Sequence, residues 1–93
     1  MERALTKQIL FWLSQQPRIW FLKTAGGLYQ RRGVPDIIGC VKGKFFAIEV
    51  KSPGGELSNS QVVELNGINA AFGRASVVRS IEEAKEFIGR LRS

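Results

Sequence analysis

Two carboxylates and a lysine stand out in the stretch GVPDIIGCVKGKFFAIEVK, which runs from Gly33 to Lys51. Asp36 and Glu49 sit inside runs that otherwise read as buried β-strand, and Lys51 follows two residues after the second acid. Lys42 and Gly43 separate the two runs and signal a hairpin. With a two-residue turn Val41 pairs with Lys44, and counting outward from that pair brings Asp36 opposite Glu49. Alternate side chains of a strand share a face, so Phe45, Ala47, Glu49 and Lys51 point one way while Phe46, Ile48 and Val50 point the other. Opposed side chains sit roughly 4.5–5.5 Å apart at Cβ. Two carboxylates at that spacing repel, and burial sharpens the repulsion. Lys51 offsets one charge in an ion pair at the sheet edge. A divalent cation offsets more, and an oxygen-only ligand set suits Mg²⁺ or Mn²⁺. The residues alone leave both readings open.

The rest of the composition narrows the chemistry. The chain of 93 residues has no histidine and one cysteine, Cys40. That excludes Ser–His–Asp and Cys–His machinery, His-ligated metals, thiolate clusters and an internal disulfide. The longest apolar run at the N-terminus, Ile9–Leu13, is too short for a membrane span or a signal sequence, so the expected location is cytosolic. The formal net charge is +6. A small basic domain without a membrane-binding pattern points to a polyanionic partner, usually nucleic acid.

These groups need a scaffold, and the hydrophobic pattern supplies one. Glu2 to about Gln16 carries Leu5, Ile9, Trp12 and Leu13 at helical spacing and ends at Pro17. RIWFLKT, PDIIGCV and KFFAIEVK read as strands, with the basic, glycine-rich AGGLYQRRG between the first two. Ser58 to Phe72 reads as a helix closed by Gly73. RASVVRS is a short strand. Ser80 and Glu83 form a capping box before a helix lined by Ile81, Ala84, Phe87, Ile88 and Leu91. The order α-β-β-β-α-β-α predicts one mixed sheet with helices on its faces.

Both of the first two helices place a polar residue at the N-terminal end of the inward stripe. Glu2 shares a stripe with Leu5, Ile9 and Trp12, and Gln61 with Leu65, Ile68 and Phe72. Ser58 and Gln61 also have capping-box spacing, and Glu2 also suits a solvated helix start.

Proline-aspartate followed by Glu-x-Lys on the next strand resembles the PD-(D/E)xK nuclease superfamily. The longer pattern RRGVPDIIG…FFAIEVKSPGGELSNSQ resembles its stand-alone virus-type replication-repair nuclease (VRR-NUC) domain over nearly the whole chain. The resemblance implies a restriction-endonuclease-like α-β-β-β-α-β core and a single nuclease domain over residues 1–93. It implies a metal-dependent endonuclease in which Asp36, Glu49 and the Val50 carbonyl hold Mg²⁺ or Mn²⁺ and Lys51 is catalytic. Gln61 matches the glutamine of the following helix, and Glu2 the glutamate of the first. Lys23, Arg31 and Arg32 are the basic residues expected near this rim, with Tyr29 placed to stack on a base or sugar. Lys42 and Lys44 fall at the far end of the hairpin, able to touch a distant duplex arm or to blunt a sheet edge. Phe11 and Val63 lie off the inward stripes and are candidate contacts of a homodimer. The expected partner is DNA, branched, with a four-way junction as the implied substrate in a bacterial or phage-infected cell. A flap or general duplex nuclease, a non-catalytic nucleic-acid-binding module and a small interaction domain remain the alternatives.

Overall fold

The computed structural model describes residues 2–25 and 31–93. Pro17 halts the first helix, α1, which runs Glu2–Ser14 and ends two residues earlier than the apolar period suggests. A last turn, Gln15 N to Trp12 O and Gln16 N to Leu13 O, leads into the proline. β1 (Ile19–Lys23), β2 (Ile37–Val41), β3 (Lys44–Val50), α2 (Asn59–Ala70), β4 (Arg74–Val78) and α3 (Ile81–Arg92) follow in the order read from the sequence.

The hairpin has the expected register. Lys42 and Gly43 both take positive φ, 53° and 75°. That makes the two-residue turn whose twist matches antiparallel strands. Val41 pairs with Lys44, and the ladder continues to Ile37 opposite Ile48. The sheet order is β1-β2-β3-β4, antiparallel except for the parallel β3–β4 pair. As an inner strand β3 is buried on both faces from Phe46 to Val50.

The two faces differ. Ile37, Val41, Phe46, Ile48 and Val50 meet Ile9 and Leu13 of α1 and Ala84, Phe87, Ile88 and Leu91 of α3 in one core. Phe46 and Phe87 pack edge to face at 6.4 Å. On the other face α2 packs against β4, and Leu65 is its one buried residue. Among the described residues no helix covers the part of this face over β1 and β2: Trp20, Cys40 and Phe45 line up across three strands, and Trp20 is 61%, Leu22 49% and Phe45 43% exposed.

Three local expectations needed correction. Helix α2 closes through Phe72, at φ 69°, rather than through Gly73. Phe72 N donates to Asn69 O and Gly73 N to Ile68 O, the paired bonds of a Schellman ending. A left-handed phenylalanine costs about 1–2 kcal/mol, and the ring is thrown outward, 88% exposed, off the stripe it shared with Leu65. Gly73 is required for space instead: a Cβ there would lie 2.7 Å from the Ile68 side chain. At α3, Ser80 Oγ accepts from Glu83 N, but Glu83 Oε1 accepts from Arg79 N rather than Ser80 N, so the capping box is shifted by one residue. Finally, Lys42 and Lys44 donate to the last carbonyls of α3, Arg92 O and Leu91 O, at 3.0 and 2.9 Å. They cap a helix whose C-terminus attracts cations, and are not spare charges at the sheet edge.

Candidate active site

β2 and β3 deliver the two acids to one end of the sheet. The β2–β3 ladder stops at Ile37–Ile48, and Asp36 continues past it held from both sides. Its carbonyl accepts from Thr24 N at 2.9 Å and Thr24 Oγ1 at 3.2 Å. Its carboxylate accepts from Val50 N at 2.8 Å. Thr24 also donates from Oγ1 to Pro35 O at 2.6 Å, so the residue just beyond β1 clamps the proline-aspartate turn.

Glu49 is only 2% exposed. Its Oε2 accepts from Gln61 Nε2 at 3.2 Å, and its Oε1 is buried without a hydrogen-bond partner among the described residues. The environment raises its pKa from the ordinary 4.5 to about 8. Burial is the largest cause, followed by the Asp36 charge and a hydrogen bond shared with Asp36. Lys51 pulls the other way, and Glu2 adds a small push upward. That shared bond needs a proton on the pair; as two anions, the carboxylates leave Glu49 Oε1 unpartnered.

Lys51 is fixed by its backbone, N donating to Val78 O at 3.0 Å. Among the described residues no ion pair joins its ammonium to either acid; the two ion pairs are Arg31–Glu64 and Arg90–Glu86. The simple ion-pair reading therefore has no counterpart here. The segment after Lys51 is pinned by a residue the sequence reading passed over. Arg79 Nη1 donates to Ser52 O at 2.9 Å and Gly55 O at 2.8 Å. Glu2 reaches the same segment from α1, its Oε2 accepting from Ser52 N at 3.3 Å and Ser52 Oγ at 3.4 Å. Turned this way, it does not complete a three-carboxylate site. Among the described residues no group of three or more His, Cys, Asp or Glu is arranged to hold a metal ion.

Gln61 closes the capping box its spacing suggested and turns its other end to Glu49. Its Oε1 accepts from Ser58 N at 2.8 Å while Ser58 Oγ accepts from Gln61 N, which closes the capping box. Its Nε2 is thereby left aimed at Glu49. Gly33 keeps this helix start against the Asp36 turn. Its φ is 85°, and a Cβ would fall 2.3 Å from Ser60 O, so only glycine permits the approach.

The basic residues divide. Arg31 pairs with Glu64 at 2.8 Å, and Arg32 is exposed beside it. Lys23 lines a groove of about 490 Å³ between α1 and the sheet, with Asp36 and Val50 at its wall. Tyr29 lies outside the described residues. No described helix is long and apolar enough to cross a membrane.

The donor set suits a hard divalent cation. Two adjacent carboxylates with one buried, unpartnered oxygen are a poor arrangement as bare anions and a good one around Mg²⁺ or Mn²⁺.

No family model and no curated protein matches the sequence. Solved structures do match. One, described as a VRR_NUC domain, superposes with a TM-score of 0.78 at 19% identity, over 95% of this chain and 94% of that one. Another is the Archaeoglobus fulgidus protein Hjc, described as a Holliday junction resolvase from an archaeal hyperthermophile. It superposes with a TM-score of 0.62 at 22% identity, over 84% of this chain and 67% of the other. The chain has the fold of these two proteins: a four-stranded mixed sheet with three helices.

Proposed function

We propose that residues 1–93 form one nuclease domain, a metal-dependent endonuclease that hydrolyses phosphodiester bonds in branched DNA. The observation that carries this reading is the buried Glu49 Oε1, without a partner among the described residues, beside Asp36 and within the electrostatic reach of Lys51. Asp36, Glu49 and the Val50 carbonyl would hold Mg²⁺ or Mn²⁺. Such an ion supplies charge to stabilise the phosphate and a more acidic water. Lys51, on its anchored backbone, would orient or deprotonate the attacking water, or stabilise the charge that builds on the phosphate oxygens. Gln61 holds Glu49 Oε2 from the far side. Glu2 acts one step removed, on the segment that follows Lys51. Lys23 and Arg32 contact phosphates, and Tyr29 stacks on a base or sugar.

The substrate and assembly extend the same reading. One site cuts one strand, and a four-way junction needs two symmetric cuts, so a two-fold homodimer is the matching assembly. The named activity of the Archaeoglobus structure supports a junction as substrate. The open sheet face supports the dimer better than Phe11 and Val63, which lie on helices against opposite faces of the sheet. Trp20, Leu22, Phe45 and the nearby Phe72 expose on the order of 500 Å² of apolar surface, over half of the ~800 Å² each partner gives a stable interface.

Labelled four-way junctions, flaps and plain duplexes incubated with Mg²⁺ or Mn²⁺ test the activity. Paired cuts in the junction are expected. A non-catalytic binding module would bind these DNAs and cut none. On a junction in a supercoiled plasmid, mixed dimers of wild-type and Asp36→Asn chains should nick without linearising. Linear product, with subunit exchange excluded, would overturn the paired-site mechanism.

A further inference from the structure

The groove between α1 and the sheet has a composition that the two acids do not explain. At one end stand Asp36 and Val50. Along α1 its wall is Arg3, Thr6, Lys7 and Leu10, with Lys23 facing them from the end of β1. Arg3 and Lys7 lie four residues apart, on one side of the helix. Neither they nor Lys23 has a carboxylate partner among the described residues. Thr6 has spent its hydroxyl on Glu2 O at 2.8 Å. Leu10 is apolar and half-buried against the core, and Val50, only 2% exposed, is a core residue that backs the groove. The other acid of the wall, Glu2, is turned to Ser52. The groove is therefore a seat with an apolar floor and a cationic rim, opening directly onto a carboxylate of the proposed cutting site.

A paired duplex uses such a seat poorly. Its bases stay in the stack and show a protein only their edges in the grooves, so it has no base face to place in an apolar pocket. A cavity of about 490 Å³ is of the size that encloses a small molecule. An unpaired nucleotide matches both of its features: a base or sugar face for Leu10 and the aliphatic stems of Arg3 and Lys7 beside it, and phosphates for Arg3, Lys7 and Lys23. Enzymes that act beside a displaced nucleotide gain selectivity because unpairing is least costly where pairing is already lost.

We propose that the α1 groove seats one unpaired deoxynucleotide next to the cut phosphate, so that the site selects DNA whose strand has left the base stack, as at a gap, a flap or an opened branch point. This rests on the nuclease reading and names the substrate feature that site reads.

The test is binding, separated from cutting. The full chain carrying Asp36→Asn is compared with the same chain carrying Arg3→Ala and Lys7→Ala in addition. Probes are an oligothymidine, a blunt duplex, and that duplex with a short single-stranded gap holding 2-aminopurine. The two added substitutions should weaken oligothymidine and gapped duplex by about tenfold or more and flatten their salt dependence by roughly one to two phosphate contacts. The blunt duplex should change by less than about twofold. The 2-aminopurine emission should shift on binding Asp36→Asn and not on binding the triple variant. Equal losses on all three DNAs, or no loss on any, overturn the proposal. Failure of the nuclease reading shows separately, as wild-type protein with Mn²⁺ that cuts neither these three DNAs nor a four-way junction or flap.

Discussion

Gln61 donates to Glu49 Oε2 across 3.2 Å with the same side chain whose Oε1 accepts from Ser58 N at 2.8 Å. One residue thus starts a helix and braces a buried carboxylate. The two jobs separate chemically, because the cap needs an acceptor and Glu49 needs a donor.

Gln61→Glu keeps the acceptor and replaces the donor with an acid. The cap survives, so metal-free stability below pH 5 should stay within about 1 kcal/mol of wild type. Near pH 8 a second carboxylate against Glu49 should lower the melting temperature and raise the Mn²⁺ needed for half-maximal cleavage. Gln61→Ala loses both contacts and should cost about 1–2 kcal/mol. Thermal melts at the two pH values check this, and equal losses for Gln61→Glu at both would refute it.

Glu49 sets a pH dependence of metal-free stability. Its folded pKa is about 8 against an ordinary 4.5. Between those values the folded chain keeps a proton that the unfolded chain has released. Rising pH therefore favours unfolding. Stability without metal should fall from about pH 5 to pH 8 and then level off. Glu49→Gln, which cannot ionise, should flatten the curve. Denaturant midpoints across this range in a chelator decide it; a wild-type curve that rises with pH would contradict the environment described for Glu49.

Lys51 and Asp36 should separate ion binding from turnover. Lys51→Ala should lose cleavage by on the order of 10²–10³-fold while Mn²⁺ still binds by calorimetry. Asp36→Asn retains an oxygen to accept from Val50 N, so it should fold normally, lose Mn²⁺ binding and cleavage, and hold DNA as well as wild type or better. Loss of Mn²⁺ binding in Lys51→Ala would make the lysine a structural counter-charge.

The open face yields the fourth prediction. Phe45→Lys and Trp20→Lys, each placing a charge on an already exposed position, should convert a dimer to a monomer in sedimentation with little loss of monomer stability. Junction linearisation should fall and single nicking persist. A protein that sediments as a monomer before mutation removes the interface.

What was legible in the sequence was local. The Lys42-Gly43 turn and the alternation beyond it set the Asp36–Glu49 juxtaposition, because turn chemistry and strand period act over a few residues. The Arg79 clamp on Ser52 and Gly55, the Thr24 clamp on Asp36 and the Arg31–Glu64 pair join distant segments. No period announces them. Phe72 misled for a related reason: its spacing fitted the α2 stripe, while the close approach of Gly73 to Ile68 decided where the helix closed. Arg3 and Lys7 form a groove wall only because β1 brings Lys23 opposite them, and nothing in the local sequence signals that.

Cys40 and Phe45 pair directly across β2 and β3, the strands that lead into Asp36 and carry Glu49. From Cys40 to Asp36 is about 13 Å at ~3.3 Å per residue. Any body seated on the open face is thus referenced to the acids by two hydrogen-bonded strands, with no hinge between. The hairpin acts as a ruler. Lengthening both strands by one residue pair would flip the faces, and by two would move the acids outward by about 7 Å. The distance from the seated surface to the point of chemistry is therefore quantised in strand residues, and loop sequence alone cannot tune it.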